Sequence, residues 1–466
     1  MLIAFDYSQS ESGIQTELGL SVEALEAYLN QLPQQTGRGR EGLWPILPIA
    51  VIIGPNGSGK STFLNALKSL SACLRPQTRQ AKVSPTQAQL SRQSLQSTRY
   101  IWAQVDRKRP YVLIGRCAPE LSLEQLEIRS IDPAFHELCL GKKRSAARLQ
   151  NAAAVESEER IALRYEAGRL SLTQHVNGEE NTVELEVAEK TRGGMMAYLA
   201  YLAQGGSKTE SGRKVLETVI GEARLNFLLR SMQELSAIEV DLIHDDEQEW
   251  LEISDEMLKT LLRESGRYHE RLSGLRHEHL LDKMKRLCEA KRQHSIKEAL
   301  SSLSRSERRC ALILAKLLSE GKHRVYCFEH PEQNLYMENV ELLSMVFHDL
   351  VEEQRVEQII LTSHYPNFLD HFSLREIWFF EDPEAHLGEI GQEDAWHFSV
   401  KESPFGSETE SEAEQSEAVQ SEAELEAEQK GQIKGRRAYC LESNALVREL
   451  IQEGLKLSQI WYGGYF

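Results

Sequence analysis

The chain has 466 residues, 41% of them hydrophobic and 27% charged, with a formal net charge of −17. That length allows two or three structural units and a large core. Ten of the glutamates lie between Glu402 and Glu428, where there is no Lys or Arg, so much of the acidity is local. Nine basic residues (Arg75, Arg79, Lys82, Arg92, Arg99, Arg107, Lys108, Arg109 and Arg116) share their stretch with one acid, Asp106, so global acidity does not exclude nucleic acid.

Residues 2–7 read as a first strand, and the acid at Asp6 with no basic leader argues against a secretory signal. Ser21 can cap a helix whose apolar positions Val22, Leu25, Leu29 and Leu32 step by three and four. After a polar loop, Leu47–Ile53 reads as a strand running into GPNGSGKST, Gly54–Thr62. Gly54, Gly59 and Lys60 keep the GxxxxGK[ST] spacing, with Ser61 in the last place. Glycines at 54, 57 and 59 permit turns that a Cβ resists, so freed N–H groups and the N-terminus of helix 61–74 face an anion. ATP with Mg²⁺ is the expected ligand, held by Gly54, Asn56, Gly57, Ser58, Gly59, Lys60, Ser61 and Thr62. Lys60 would reach the β- and γ-phosphates, and Ser61 would hold the metal.

Residues 75–98 read as a mobile loop or basic arm, rich in Gln, Ser and Arg. Tyr100–Val105 and Tyr111–Ile114 read as strands, and residues 121–160 as mainly helical. Ile161–Val187 alternates instead, giving strands joined at Ala167-Gly168 and Asn177-Gly178. Residues 194–235 return to helix, broken at Gly205-Gly206. Residues 255–300 are helical and charged. Leu258, Leu261, Tyr268, Leu272 and Leu275 form either a partner-facing seam or the inner face of a lid packed on the body, the reading that Gly266 and Gly274 favour. His269, His277, His279 and His294 lack partners at ligand spacing and read as surface residues.

Val325–Phe328, Ile359–Thr362 and Ile377–Phe380 read as strands, with an amphipathic helix over Val340–Val351, which implies an α/β layer with a largely parallel sheet. Glu402–Lys430 is low-complexity and reads as a solvated linker. A helix over Asn444–Leu455 and the apolar end IWYGGYF close the chain, as a docking segment or as a helix folded back on its own head. Seven scattered cysteines without a CxxC pair fit a reducing, cytoplasmic setting. Pro45 and Pro48 interrupt the longest apolar run, so no membrane span is expected.

Three stretches follow the phosphate loop in an informative order: LSRSERR (Leu303–Arg309), VYCFEHPEQNL (Val325–Leu335) and IILTSHYP (Ile359–Pro366). On these motifs the chain resembles ABC-type ATPases related to RecF, SMC and OLD proteins, of the kind found as AAA ATPase subunits in Septu-like or PARIS-like anti-phage systems. The resemblance covers roughly residues 1–74 and 295–382. It implies an α/β ABC-ATPase head with a mixed, largely parallel sheet, an antiparallel β subdomain and a helical lid or insertion. Its expected divisions are an N-terminal lobe (1–125), the insertion (126–300), a C-terminal lobe (301–400), the acidic linker (401–432) and a docking segment (433–466).

By the same resemblance Glu329 takes the metal-side acid position beside Ser61, His364 matches the switch histidine, and Ser304 and Ser306 lie in the signature that caps nucleotide across an ATP-sandwich homodimer or higher oligomer. Two positions depart. His330 stands where the catalytic glutamate is expected, and Arg305-Ser306 stands where a small residue and glycine are usual. A neutral imidazole can accept a proton from water, so turnover is expected to be slow or pH-dependent. A separately encoded nuclease or toxin is the expected effector, because only about a hundred residues follow His364, too few for an appended nuclease domain. The alternatives are a RecF-like DNA-maintenance ATPase, using basic residues 75–116, and a nucleotide-gated scaffold with little turnover.

Overall fold

The computed structural model describes residues 1–9, 14–19, 25–26, 29, 44–74, 98–117, 123–141, 159–166, 169–176, 179–186, 199, 210–241, 253–264, 280–290, 295–319, 325–380, 435–436 and 438–465. Among them are two sheets that share a buried core. The first has nine strands in the order β14-β2-β1-β4-β5-β6-β7-β8-β9. These are β1 (Leu2–Gln9), β2 (Ile14–Gly19), β4 (Thr98–Val105), β5 (Tyr111–Cys117), β6 (Leu123–Ser130), β7 (Glu159–Glu166), β8 (Arg169–Val176), β9 (Glu179–Glu186) and β14 (Gly435–Arg436). Every pairing in it is antiparallel except β14 with β2. The second has six strands, β10-β11-β12-β3-β13-β15. They are β10 (Glu239–Asp241), β11 (Val325–Glu329), β12 (Gln358–Thr362), β3 (Ile49–Ile53), β13 (Ile377–Phe380) and β15 (Ala438–Cys440). They run parallel except for β15 against β13.

Helix α1 (Lys60–Leu74) packs in that core. Its Phe63, Leu64, Leu67, Leu70 and Leu74 share a core with Phe5, Trp102 and Leu126 of the first sheet and with Ala50, Ile52, Cys327 and Ile360 of the second. Strand side chains alternate between faces. Ile49, Val51 and Ile53 therefore point the other way from Ala50 and Ile52, into a second core under the remaining helices. The far face of the nine-stranded sheet buries Ile3, Ala103, Val105, Val112 and Ile114 against helix α2 (Pro133–Cys139). Asp132 caps α2, accepting from Ala134 N at 2.6 Å, with Pro133 at the first helical position.

Helices α3 (Glu210–Ile220) and α4 (Glu222–Ser236) meet at Gly221, whose φ of 82° ends one and starts the other. The second core takes α5 (Asp255–Glu264), α6 (Leu280–Ala290), the short α7 (Ile296–Ala299), α8 (Arg305–Ser319), α9 (Met337–Glu352), α10 (Pro366–Leu369), α11 (Ala445–Gln452) and α12 (Leu457–Tyr462). Leu258, Leu261 and Met284 are buried in it, so this helical region packs on the body. Tyr268, Leu272, Leu275 and the four histidines between 269 and 294 lie outside the described residues, as do residues 75–97, Gly205-Gly206 and the acidic stretch 401–432.

The expected helix over residues 121–160 is corrected. Residues 123–130 form β6, and the described helix there is only Pro133–Cys139. The misleading signal has a physical cause. A β-bulge shifts the β5–β6 register, so Gly115 faces Leu126 and Cys117 faces Leu123. Leu123 and Leu126 thus share a face while standing three apart, which mimics helical spacing. The expected boundary at 125/126 falls inside β6, and β7–β9 extend the same sheet as β1 rather than forming a separate subdomain.

In the structure the tail packs on the body. Val447, Leu457 and Ile460 are buried, and Asp370 accepts from Ser458 N at 2.9 Å and Oγ at 2.7 Å. Cys117, Cys139, Cys288, Cys310, Cys327 and Cys440 are free thiols. Among the described residues no helix is long and apolar enough to cross a membrane.

Candidate functional site

The loop after β3 is held open by its glycines. Gly54, Gly57 and Gly59 have φ of 144°, 85° and 102°. Gly54 lies against β13, and a Cβ there would stand 2.4 Å from Phe380 O. The first helical bond of α1 runs from Phe63 N to Gly59 O at 2.9 Å, so the N–H groups of Lys60, Ser61 and Thr62 have no acceptor within the helix. Asn56, Gly57, Ser61 and Thr62 are exposed, while Ser58 is buried. Lys60 is only 4% exposed. Its Nζ donates to Gly54 O at 2.8 Å and Pro55 O at 2.7 Å, and lies 3.4 Å from Ser58 Oγ. Burial pushes its pKa down to about 8.

Parallel pairing brings the other predicted residues to the same edge. Glu329 ends β11 opposite Thr362 of β12, and Thr362 pairs with Ile52 of β3. The ends of three strands therefore surround the loop, and Ser61 Oγ donates to Glu329 Oε1. A hydroxyl and a carboxylate side by side form a hard-oxygen donor set that suits Mg²⁺.

His330 follows Glu329 with φ 48°, a backbone conformation rare for a residue with a side chain. Its N donates to Thr362 O at 3.1 Å, and its carbonyl accepts from Arg309 Nη2 at 3.2 Å. These bonds hold a conformation that is costly by itself. The His330 ring stacks on His364, with centroids 4.3 Å apart and planes at 18°. Desolvation, then the Lys60 cation and His330, push the His364 pKa down to about 4, which leaves that imidazole neutral near pH 7.

Ser304 is a helix cap. Ser304 Oγ accepts from Glu307 N at 3.3 Å, and Glu307 Oε2 accepts from Ser304 N at 2.8 Å, forming a capping box for α8. Lys283 anchors Glu307 at 2.7 Å. That arrangement leaves the hydroxyl hydrogen of Ser304 unused by the cap. Ser306 departs from the expectation of a nucleotide contact. It is 7% exposed, and its Oγ accepts from Tyr336 N at 3.1 Å and Asn339 Nδ2 at 3.3 Å, tying α8 to the start of α9.

The basic stretch is partly spent inside the protein. Arg107 pairs with Glu357 at 3.1 Å and donates to Val356 O at 3.3 Å, and Arg116 pairs with Glu26. These two are therefore structural partners and not a free phosphate-binding surface.

Residues 49–98 match an AAA domain. The model is described as "AAA domain, putative AbiEii toxin, Type IV TA system", and the match spans β3, the phosphate loop and α1. No curated protein matches the chain. Solved structures similar to it include an SMC head domain from Thermotoga maritima, at 10% identity and a TM-score of 0.29, covering 81% of this chain and 94% of that one. Another is titled "An inward-facing conformation of a putative metal-chelate type ABC transporter", at 17% identity and a TM-score of 0.18, covering 31% of this chain. The alignment spans about half of that second chain, 54%.

Two residues of the motifs gain their partners only in the fold. Glu332 is 6% exposed, and its Oε1 accepts from Ser363 Oγ at 2.7 Å and His364 N at 3.3 Å. Arg309 reaches the His330 carbonyl from another element. Both stand in the motifs, but their partners lie 31 and 21 residues away.

Proposed function

We propose that the chain is an ATP-binding and ATP-hydrolysing head of the ABC type, which dimerises on nucleotide and controls a separately encoded nuclease or toxin in anti-phage defence. The observation that carries the reading is the Ser61–Glu329 contact beside Lys60, formed by three adjacent strand ends.

Loop N–H groups and Lys60 would bind and orient the phosphates. Ser61 and Glu329 would hold Mg²⁺, which when bound offsets phosphate charge. His330 would receive the proton of the attacking water, and His364, neutral and stacked on it, would contact the terminal phosphate. Ser304, with its hydroxyl hydrogen free of the cap, would donate to that phosphate from a second copy. Exposed Tyr336, Met337 and Tyr365, which follow β11 and β12, support a partner surface at this edge. The family description, which calls the matched AAA domain a putative toxin of a toxin–antitoxin system, supports a place in such a system.

ATP turnover by wild type and Lys60→Ala tests the enzyme, and light scattering with and without ATP tests dimerisation. Turnover that survives Lys60→Ala refutes this site. An unchanged mass with ATP refutes nucleotide-driven pairing.

A scaffold with little turnover is the second reading, favoured by His330 in the place of a glutamate. A marked rate increase in His330→Glu would support it. Among the described residues Arg107 and Arg116 speak against a RecF-like surface, since their charges are met within the chain.

A further inference from the structure

Glu332 is a buried carboxylate surrounded by the two histidines of the site. Oε1 accepts from Ser363 Oγ at 2.7 Å and from His364 N at 3.3 Å, and lies 3.8 Å from His330 Nδ1. Oε2 is buried with no donor among the described residues. A buried carboxylate oxygen without a donor is costly, so a nearby N–H that can turn toward it will do so. Among the described residues His330 Nδ1 is the ring nitrogen placed to turn.

A carboxylate only accepts, so the ring nitrogen that faces it must carry the hydrogen. A neutral imidazole has one N–H and one lone pair, and fixing the first fixes the second. His330 also cannot swing away freely. Its backbone is clamped by Thr362 and Arg309, and its ring rests on His364.

We propose that Glu332 is the positioning residue of this site: it holds the hydrogen of His330 on Nδ1, leaving Nε2 as the lone-pair nitrogen, and fixes His364 through its backbone N–H. One acid thereby orients both stacked rings. Glu332 does the work of setting the tautomer and does not itself touch nucleotide. The proposal rests on the reading that His330 receives the proton of water.

The test uses the full chain labelled with ¹⁵N-histidine, with the His330 signals assigned by their loss in His330→Gln. Wild type is expected to show the hydrogen on Nδ1. Glu332→Gln keeps an acceptor oxygen and is expected to retain that tautomer. Glu332→Ala is expected to move the hydrogen to Nε2. In turnover, Glu332→Ala should lower kcat by about 100-fold with the KM for ATP within about threefold, and Glu332→Gln should recover to within about tenfold of wild type. A hydrogen on Nε2 in the wild type overturns the proposal, whether or not Glu332→Ala folds. An unchanged tautomer in folded Glu332→Ala overturns it too, as does an equal loss of kcat in the Gln and Ala variants. Absence of wild-type turnover would sink the catalytic reading instead, and the tautomer measurement would still decide the role of Glu332.

Discussion

Gly54→Ala should disrupt the fold from the loop outwards. The added Cβ would stand 2.4 Å from Phe380 O and 3.1 Å from both Phe380 Cβ and Ser58 Oγ. The nearest of these is backbone in a paired strand, so β3 and β13 must separate or the loop must shift. Forcing a methyl into packed structure costs about 1–3 kcal/mol. The positive φ of 144° adds a backbone penalty, for which about 1–2 kcal/mol is typical of an L-residue held at positive φ. Together these predict a loss of about 2–5 kcal/mol. Gly57→Ala is the control, because its φ is also positive at 85° but nothing lies within 4 Å of the new Cβ. It should lose only the backbone part, about 1–2 kcal/mol. Urea unfolding at unchanged m reads both values. ATP titration should show weakened binding in both variants, since each alters the loop. Equal stability of the two variants would refute the steric argument, and so would a Gly54→Ala protein within about 0.5 kcal/mol of wild type.

Ser306→Gly restores the residue usual in the signature, yet it should destabilise the protein. It removes the acceptor for Tyr336 N and Asn339 Nδ2 and places glycine in the first turn of α8, at a cost of about 1.5–3 kcal/mol by denaturant unfolding. Arg107→Ala should cost about 1.5–3 kcal/mol, because the buried Glu357 loses its guanidinium but keeps the Met1 amino group at 3.1 Å, while salt-dependent DNA retention stays unchanged. The Lys60 amine should make stability rise with pH. Below about 8 it is charged in both states, whereas between about 8 and 10.5 only the unfolded chain holds the proton. The stability of wild type relative to Lys60→Met should therefore increase across that window, and a flat difference would refute the burial of the amine.

The parts legible in the sequence were those whose signal is local. β3, β11, β12 and β13 are short apolar runs, three of them ending in chemistry-bearing residues, and the glycine spacing after β3 specifies the loop. The hairpins of β7–β9 were marked by Ala167-Gly168 and Asn177-Gly178. β6 was hidden because its bulge imitates a helical step. β15 was hidden because three residues carry no period, and its identity as a strand comes from pairing with Trp378, Phe379 and Phe380. Ser306 departs from its expected place for a related reason. Spacing places it in the signature, but only the packing of α8 on α9 turns it inward. Glu332 and Arg309 could be located but not given partners, since those lie on other strands and helices.

Gly435–Arg436 joins the nine-stranded sheet beside β2, and Ala438–Cys440 joins the six-stranded sheet beside β13. One short stretch thus seals an edge of both layers, and one of its partners lies more than four hundred residues earlier. Contacts this distant in sequence are formed late, because closing so long a loop costs entropy before pairing can repay it. The edge of β13, whose last carbonyl abuts Gly54, remains unpaired until then. A chain emerging from the ribosome would carry the complete phosphate loop long before that edge was closed. The strand edge against which Gly54 rests is thus tied to a pairing that bridges both sheets.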